Sequence, residues 1–265
     1  MKKHTLIVIV CIILIFSFAS CGQVDENISK AEPNKLHTLP YPSDYDTTSE
    51  GGSSYNGENN HFDSPYFAHP HIYNMQSNEN LTILSNFKTY QQTTEYSCGA
   101  SSAVMVMNYF GISDYDELTI AERSGTHHTQ GVSPKGLSKF FNEIGWNIQT
   151  SADNGDLYTP TFDDFESFSQ WVQNHLKNDT PIMVGWQDWG GHWQVIIGYD
   201  TMGTKHLEDD VIITADPYDT TDQYQDGYMI YGAERFLNMR SVSPEVSGDQ
   251  HTWIQPWVIA TPKSN

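Results

Sequence analysis

From Cys98 to Phe110 the chain is apolar on nearly every side, with Ala100, Ala103, Val104, Met105, Val106, Met107 and Tyr109, and Gly111 follows. So wide an apolar surface predicts a helix buried at the centre of a domain, stopped by the glycine. Phe87 to Tyr90 is a short extended approach to it. Ser113 with Asp116 offers a capping-box-like start for a second helix that ends near Gly125. Ser133-Pro134 opens a third, running through Leu137, Phe140, Phe141 and Ile144 to Gly145. Trp146 to Thr150 reads as a strand. A fourth helix gathers Phe165, Phe168, Trp171, Val172 and Leu176 on one stripe, with Asp163-Asp164 at its start and Lys177 at its end, where each charge suits the helix dipole. Beyond this the periodicity changes. Pro181 to Trp186, His192 to Tyr199, Val211 to Ala215, Tyr228 to Tyr231 and Trp257 to Ala260 are short β-rich runs divided by Gly, Asp and Pro. The order predicts an α+β domain: an N-terminal helical half whose central helix packs on a C-terminal antiparallel sheet, with a cleft where the two meet.

The chain before residue 81 has a different character. Lys2 and Lys3 precede an apolar run from Leu6 to Phe16, and Phe18-Ala19-Ser20-Cys21 follows. This is the pattern of a bacterial lipoprotein signal over residues 1–20, with Cys21 as the acylated first residue of the exported chain; an ordinary secretory signal with an incidental cysteine is the alternative. The run is shorter than the roughly 20 residues a spanning helix needs. Residues 21–80 are rich in Asn, Ser, Gly, Pro, Asp and Tyr and too poor in aliphatic side chains to offset their ordering entropy, so they read as a flexible tether. Residues 81–265 are long enough for one domain with a sizeable core. The location expected is the cell envelope, at a membrane reached through a lipid on Cys21.

Charge narrows the partners. The sequence holds 13 Lys and Arg against 33 Asp and Glu, a formal net charge of −20. Removing residues 1–20 would take Lys2 and Lys3 with it and bring this to −22. Such a surface excludes nucleic acid as a natural partner and draws cationic peptides. Oligomeric state is not legible.

Of the three cysteines, Cys11 lies in the expected signal, and the contexts of Cys21 and Cys98 are too different for a disulfide between them. Cys98 begins the central helix, with Gln92 six residues before it. A thiol is mostly protonated at neutral pH, its free pKa being about 8.5, and only the thiolate attacks a carbonyl well. Unpaired N–H groups at a helix start and a neighbouring imidazolium both favour the thiolate. His192, behind Gly190-Gly191, is the candidate for the imidazolium and for returning a proton to the leaving amine. Asp216, in Ala215-Asp216-Pro217, is the candidate to orient that ring, with Asp200 and Asp219 as competitors. Gln91 and Gln92 compete to supply a side-chain amide to an oxyanion beside the Cys98 backbone N–H. No cofactor or metal is expected. Asp216, Asp219, Asp222 and Asp226 lack the alternation of a calcium loop. His61, His69 and His71, and the pair His127-His128, lack zinc-site spacing. Trp186, Trp189 and Trp193 bracket the histidine and read as core or rim packing.

Tyr90-Gln91-Gln92 through Cys98-Gly99-Ala100, then Gly190-Gly191-His192-Trp193-Gln194-Val195-Ile196-Ile197-Gly198-Tyr199, then Ala215-Asp216-Pro217, is similar to the bacteriocin-processing-peptidase-like branch of the papain-like cysteine peptidases. The likeness spans residues 85–262 with the motifs in family order. It implies a papain-like fold and a Cys98-His192-Asp216 triad, and its six-residue spacing selects Gln92 for the oxyanion. The family's best-known members trim leader peptides at a double glycine and are fused to transporters. This sequence shows neither transporter helices nor a nucleotide-binding loop, so leader processing is not expected to carry over. The expectation is an exported, lipid-anchored thiol hydrolase acting on peptide or isopeptide bonds. The alternatives are a catalytically silent peptide-binding lipoprotein of the same fold, and a thiol acyltransferase or amidase acting on cell-wall peptides.

Overall fold

The computed structural model describes residues 70–154, 160–186, 191–220, 225–241 and 253–263. Cys21, the expected signal, residues 21–69 of the expected tether, Trp189, Gly190 and Asp222 lie outside the described residues. Five helices are described: α1 (Cys98–Tyr109), α2 (Glu117–Ser124), α3 (Pro134–Glu143), α4 (Phe165–Lys177) and α5 (Ala233–Arg240). The strands are β1 (Leu81–Ile83), β2 (Asn147–Thr150), β3 (Ile182–Trp186), β4 (His192–Asp200), β5 (Val211–Ala215), β6 (Tyr228–Gly232) and β7 (Trp257–Thr261). They form one sheet in the order β2-β7-β3-β4-β5-β6, with β1 pairing the far end of β4, and every pairing is antiparallel. This is the mixed helix-and-antiparallel-sheet fold that the change of periodicity predicts.

Local chemistry sets the helix ends. Ser133 accepts from the Gly136 N–H at the start of α3, with Pro134 in the first turn, and Asp164 does the same for Ser167 at the start of α4. At α2 the acceptor is Asp116, which takes the Thr119 N–H at 2.7 Å, and the helix begins at Glu117. The cap is therefore a single Asp rather than a Ser113-Asp116 box. Gly125 closes α2 in the left-handed conformation, φ 71°, which glycine adopts without a Cβ clash. The first ten residues of α1 are all buried. A helix enclosed on all sides has no charged stripe to display, and the polar residues inside it are the small Ser101 and Ser102, both buried.

Two regions depart from the pattern-based expectation. Residues 72–74 form a 3-10 turn whose Ile72 is buried in the core, and β1 follows with Leu81 and Ile83 also buried. The packed domain thus begins before residue 81, and its first segment comes from the stretch expected to be tether. The aliphatic side chains there are few, and Leu81 and Ile83 become core through the pairing of β1 with β4 and its packing on α4.

Helix α5 was also not expected. Its eight residues follow β6 without a break and end in Arg240, which is 0% exposed. The Arg240 guanidinium donates to Gly185 O at 3.1 Å and to Pro256 O at 3.0 Å, and it lies over the Phe168 and Phe236 rings. Burial lowers its pKa to about 9. No helix among the described residues is long and apolar enough to cross a membrane.

Candidate active site

Strand alternation builds one wall of the site. His192 and Gln194 are two residues apart on β4, so both point to the same face of the sheet. The neighbouring strand β5 ends at Ala215, opposite Val195, and the next residue is Asp216. Its carboxylate is 5% exposed and fully engaged: Oδ1 accepts from His192 Nε2 at 2.7 Å and from the Tyr218 N–H at 2.8 Å, while Oδ2 accepts from Gln194 Nε2 at 2.5 Å. Gln194 also reaches the Tyr231 hydroxyl at 3.0 Å.

The helical layer supplies the sulfur. Cys98 is the first residue of α1, a free thiol, 5% exposed. Ser97 stands at the N-cap position but makes no side-chain cap bond; its hydroxyl accepts instead from the Thr94 hydroxyl at 2.7 Å. The N–H groups at the Cys98 end of the helix are therefore not taken by a side-chain cap. Helix and sheet come close here because residue 99 is glycine. A Cβ at that position would sit 2.2 Å from Val132 Cγ1 and 3.3 Å from Trp193 Cδ1. The Trp193 indole is itself fixed by donating to Val132 O at 2.9 Å.

His192 and Cys98 come within electrostatic reach of each other across this contact, and Cys98 is one of the groups that raise the pKa of the ring. With Nε2 committed to Asp216, Nδ1 is the ring nitrogen left for sulfur. Burial opposes charge on the imidazole, but the Asp216 carboxylate and, after it, Cys98 outweigh it and push the pKa up to about 10. Residues 98, 192 and 216 are thus one connected constellation, drawn from α1, β4 and the loop after β5.

The two glutamines separate cleanly. Gln91 spends its amide on the Asp216 loop, donating to Asp216 O at 2.9 Å and accepting from the Asp219 N–H at 3.1 Å. Gln92 is 1% exposed; its backbone N–H donates to Pro217 O at 2.8 Å and its Nε2 donates to Thr94 O at 2.6 Å. A side-chain amide nitrogen carries two N–H groups, so one remains after the Thr94 bond. The Gln92 Oε1 is buried without a partner. Of the other aspartates weighed for the imidazole, Asp200 accepts from the Met202 N–H and Asp219 from the Gly227 N–H, and neither is placed on His192.

A cleft of about 470 Å³ opens beside Cys98, lined by Glu95, Tyr96, His127, Thr129, Gly131, Ser133, Gly191 and Trp253. The Tyr218 hydroxyl donates to the Glu95 carboxylate, with both oxygens 3.0 Å away, and so links the segment before α1 to the loop after Asp216. Trp186 and Trp193 are buried, as expected of packing residues, and the Trp186 ring meets His192 edge to face at 5.5 Å. The indole that does line the cleft is Trp253, which the sequence reading left unmarked. Gln194, Tyr218 and Glu95 were also missed. The period-2 spacing from His192 could have flagged Gln194; nothing local flags the other two. Among the described residues no group of three or more His, Cys, Asp or Glu is placed to hold a metal ion.

A family model described as the Peptidase_C39 like family matches residues 84–243. The peptidase domain of Streptococcus ComA, a bi-functional ABC transporter of a quorum-sensing pathway, is a similar solved structure at 16% identity and TM-score 0.43, covering 67% of this chain and 99% of that one. The peptidase domain of Streptococcus mutans ComA is similar at 14% identity and TM-score 0.34, covering 66% and 100%. No curated protein matches.

Proposed function

Because this chain belongs to the Peptidase_C39 like family and is a cysteine peptidase acting on peptides, we propose that Cys98, His192 and Asp216 are its catalytic triad and Gln92 its oxyanion donor. The observation that carries this reading is the bond of 2.7 Å between His192 Nε2 and Asp216 Oδ1, made by a ring whose proton affinity Cys98 also raises. A raised imidazole pKa keeps the ring protonated beside sulfur, which favours a thiolate–imidazolium pair at neutral pH. The thiolate attacks the scissile carbonyl carbon, and the developing oxyanion accepts from the Cys98 N–H and the second N–H of the Gln92 amide. As the intermediate collapses, the C–N bond breaks and His192 Nδ1 gives its proton to the leaving amine. Water then attacks the thioester, His192 takes its proton, and the acid product leaves with the thiolate and imidazolium restored. Asp216 holds the ring in the tautomer this exchange needs.

The test is the rate of Cys98 alkylation by iodoacetamide across pH. Rapid labelling near pH 6 in the wild type, collapsing in His192→Ala, is the expected result. Labelling that tracks an ordinary thiol in both proteins would remove the pair.

The site of action in this reading is the outer side of a bacterial membrane, with the domain anchored by lipid at Cys21. What supports it is the positive, apolar and small-residue pattern that ends at that cysteine. The expected outcome is incorporation of labelled fatty acid that disappears in Cys21→Ala; incorporation indifferent to the substitution defeats the anchor.

A further inference from the structure

The buried carboxylate of Glu117 has no part in the triad, and it is 2% exposed. Its hydrogen-bond donors all come from the segment around Gln92. The Tyr90 hydroxyl donates to Oε2 at 3.1 Å, the Thr93 N–H to Oε1 at 3.0 Å and to Oε2 at 3.3 Å, and the Thr93 hydroxyl to Oε2 at 2.9 Å. Residues 90 and 93 flank Gln92 on both sides. Glu117 is also the first residue of α2, where the helix dipole favours a negative charge. A carboxylate taken out of water is costly unless its oxygens are satisfied, and a neutral apolar side chain would fill the same space more cheaply. The device that justifies a charge here is the fixing of a loop.

Gln92 needs such a device. Its Oε1 is buried and unpartnered, and its single side-chain bond is to Thr94 O within the same loop. A side chain that leaves its own acceptor unsatisfied is held in place by its neighbours. The Pro217 carbonyl fixes the Gln92 backbone on one side, and Glu117 fixes residues 90 and 93 on the other.

We propose that Glu117 is a positioning residue that presents the Gln92 amide to the oxyanion, acting through the Tyr90 and Thr93 bonds. This rests on the reading of Gln92 as the oxyanion donor. An oxyanion exists only after attack, so misplacing the amide lowers kcat and leaves KM and the alkylation of Cys98 unchanged.

The experiment is a double-mutant cycle on the full chain with Glu117→Gln and Gln92→Ala, using whichever peptide a library digest shows the wild type to cleave. Gln92→Ala is expected to lower kcat on the order of a hundredfold, and Glu117→Gln, which keeps the volume but loses the charge, on the order of tenfold. In the Gln92→Ala background Glu117→Gln has no further effect on kcat. Thr93→Val, which deletes one donor at constant shape, moves kcat in the same direction by less, so the inference stays testable if Glu117→Gln folds poorly. A Glu117→Gln loss that persists undiminished without the Gln92 amide, or appears in KM or in the iodoacetamide rate, overturns the inference alone. A silent Gln92→Ala overturns the oxyanion reading and the inference with it.

Discussion

At the scale of single residues, the chemistry turns on how many partners one carboxylate can hold. Asp216 accepts from an imidazole, a backbone N–H and a glutamine amide at once, so its two oxygens are fixed in direction and the His192 ring has one orientation open to it. The same carboxylate sets the charge. His192 gains proton affinity on folding, from an ordinary 6.5 to about 10, against the pull of burial. The sign follows: the proton is held by the folded ring through the window in which the unfolded ring would release it, and it is lost only as pH rises through about 10. The leaving amine needs that proton, so kcat/KM should fall on the alkaline side near the folded value rather than near 6.5. In Asp216→Asn the ring stays buried while the attraction goes, and the alkaline limb should move toward neutral pH. A limb that stays put in the pH profile of the variant refutes the assignment of Asp216. Cys98, His192, Asp216 and Gln92 were legible as candidate residue types in order, because the nucleophile, base and orienting acid proposed for them call for distinct side chains. Local pattern favoured Asp216 over Asp200 and Asp219 without deciding it, and Gln92 was chosen over Gln91 only through the family spacing. Each competitor is a polar residue in a similar turn, and only the hydrogen bonds tell them apart.

Among the elements, those with strong period or clear end signals were the ones read correctly. Helices α1, α3 and α4 and strands β3 to β7 follow from apolar stripes, caps and β-rich runs, since burial on one face imposes the period on the sequence. The misses share a cause. β1 is three residues long, and α5 is a short helix with a fully buried arginine, so neither has room to show a period. Arg240 joins α5 to the backbone carbonyls of Gly185 and Pro256, next to the strand position that pairs β3 with the His192 end of β4. Arg240→Ala would take a donor from two buried carbonyls, of which Pro256 O keeps the Gly185 N–H, and open a cavity between Phe168 and Phe236, for a loss of about 3 kcal/mol. Arg240→Met, which keeps the apolar stem, should lose less. Urea unfolding reads both as shifts of midpoint at constant slope, and equal stability of Arg240→Ala and wild type would show that this tie contributes nothing.

At the scale of the whole molecule, charge and topology act differently. The formal charge of −20 is spread over the sequence and predicts long-range attraction for cationic peptides. The value of kcat/KM for a lysine-rich peptide should therefore drop as salt rises from about 0.05 to 0.5 M, while that for a neutral peptide of similar length holds steady. Parallel salt curves for the two peptides would dismiss steering. The sequence alone determined the fold class, the period of its main elements and the inventory of reactive groups, because each is imprinted locally as spacing or side-chain type. Only the tertiary structure decided that sulfur, imidazole and carboxylate meet, which glutamine is spent on scaffolding, that Glu117 grips the loop around Gln92, and that the segment around Ile72 belongs to the core. Those outcomes rest on contacts between residues tens to more than a hundred positions apart, and hydrogen-bond geometry across such separations leaves no mark on the residues that lie between.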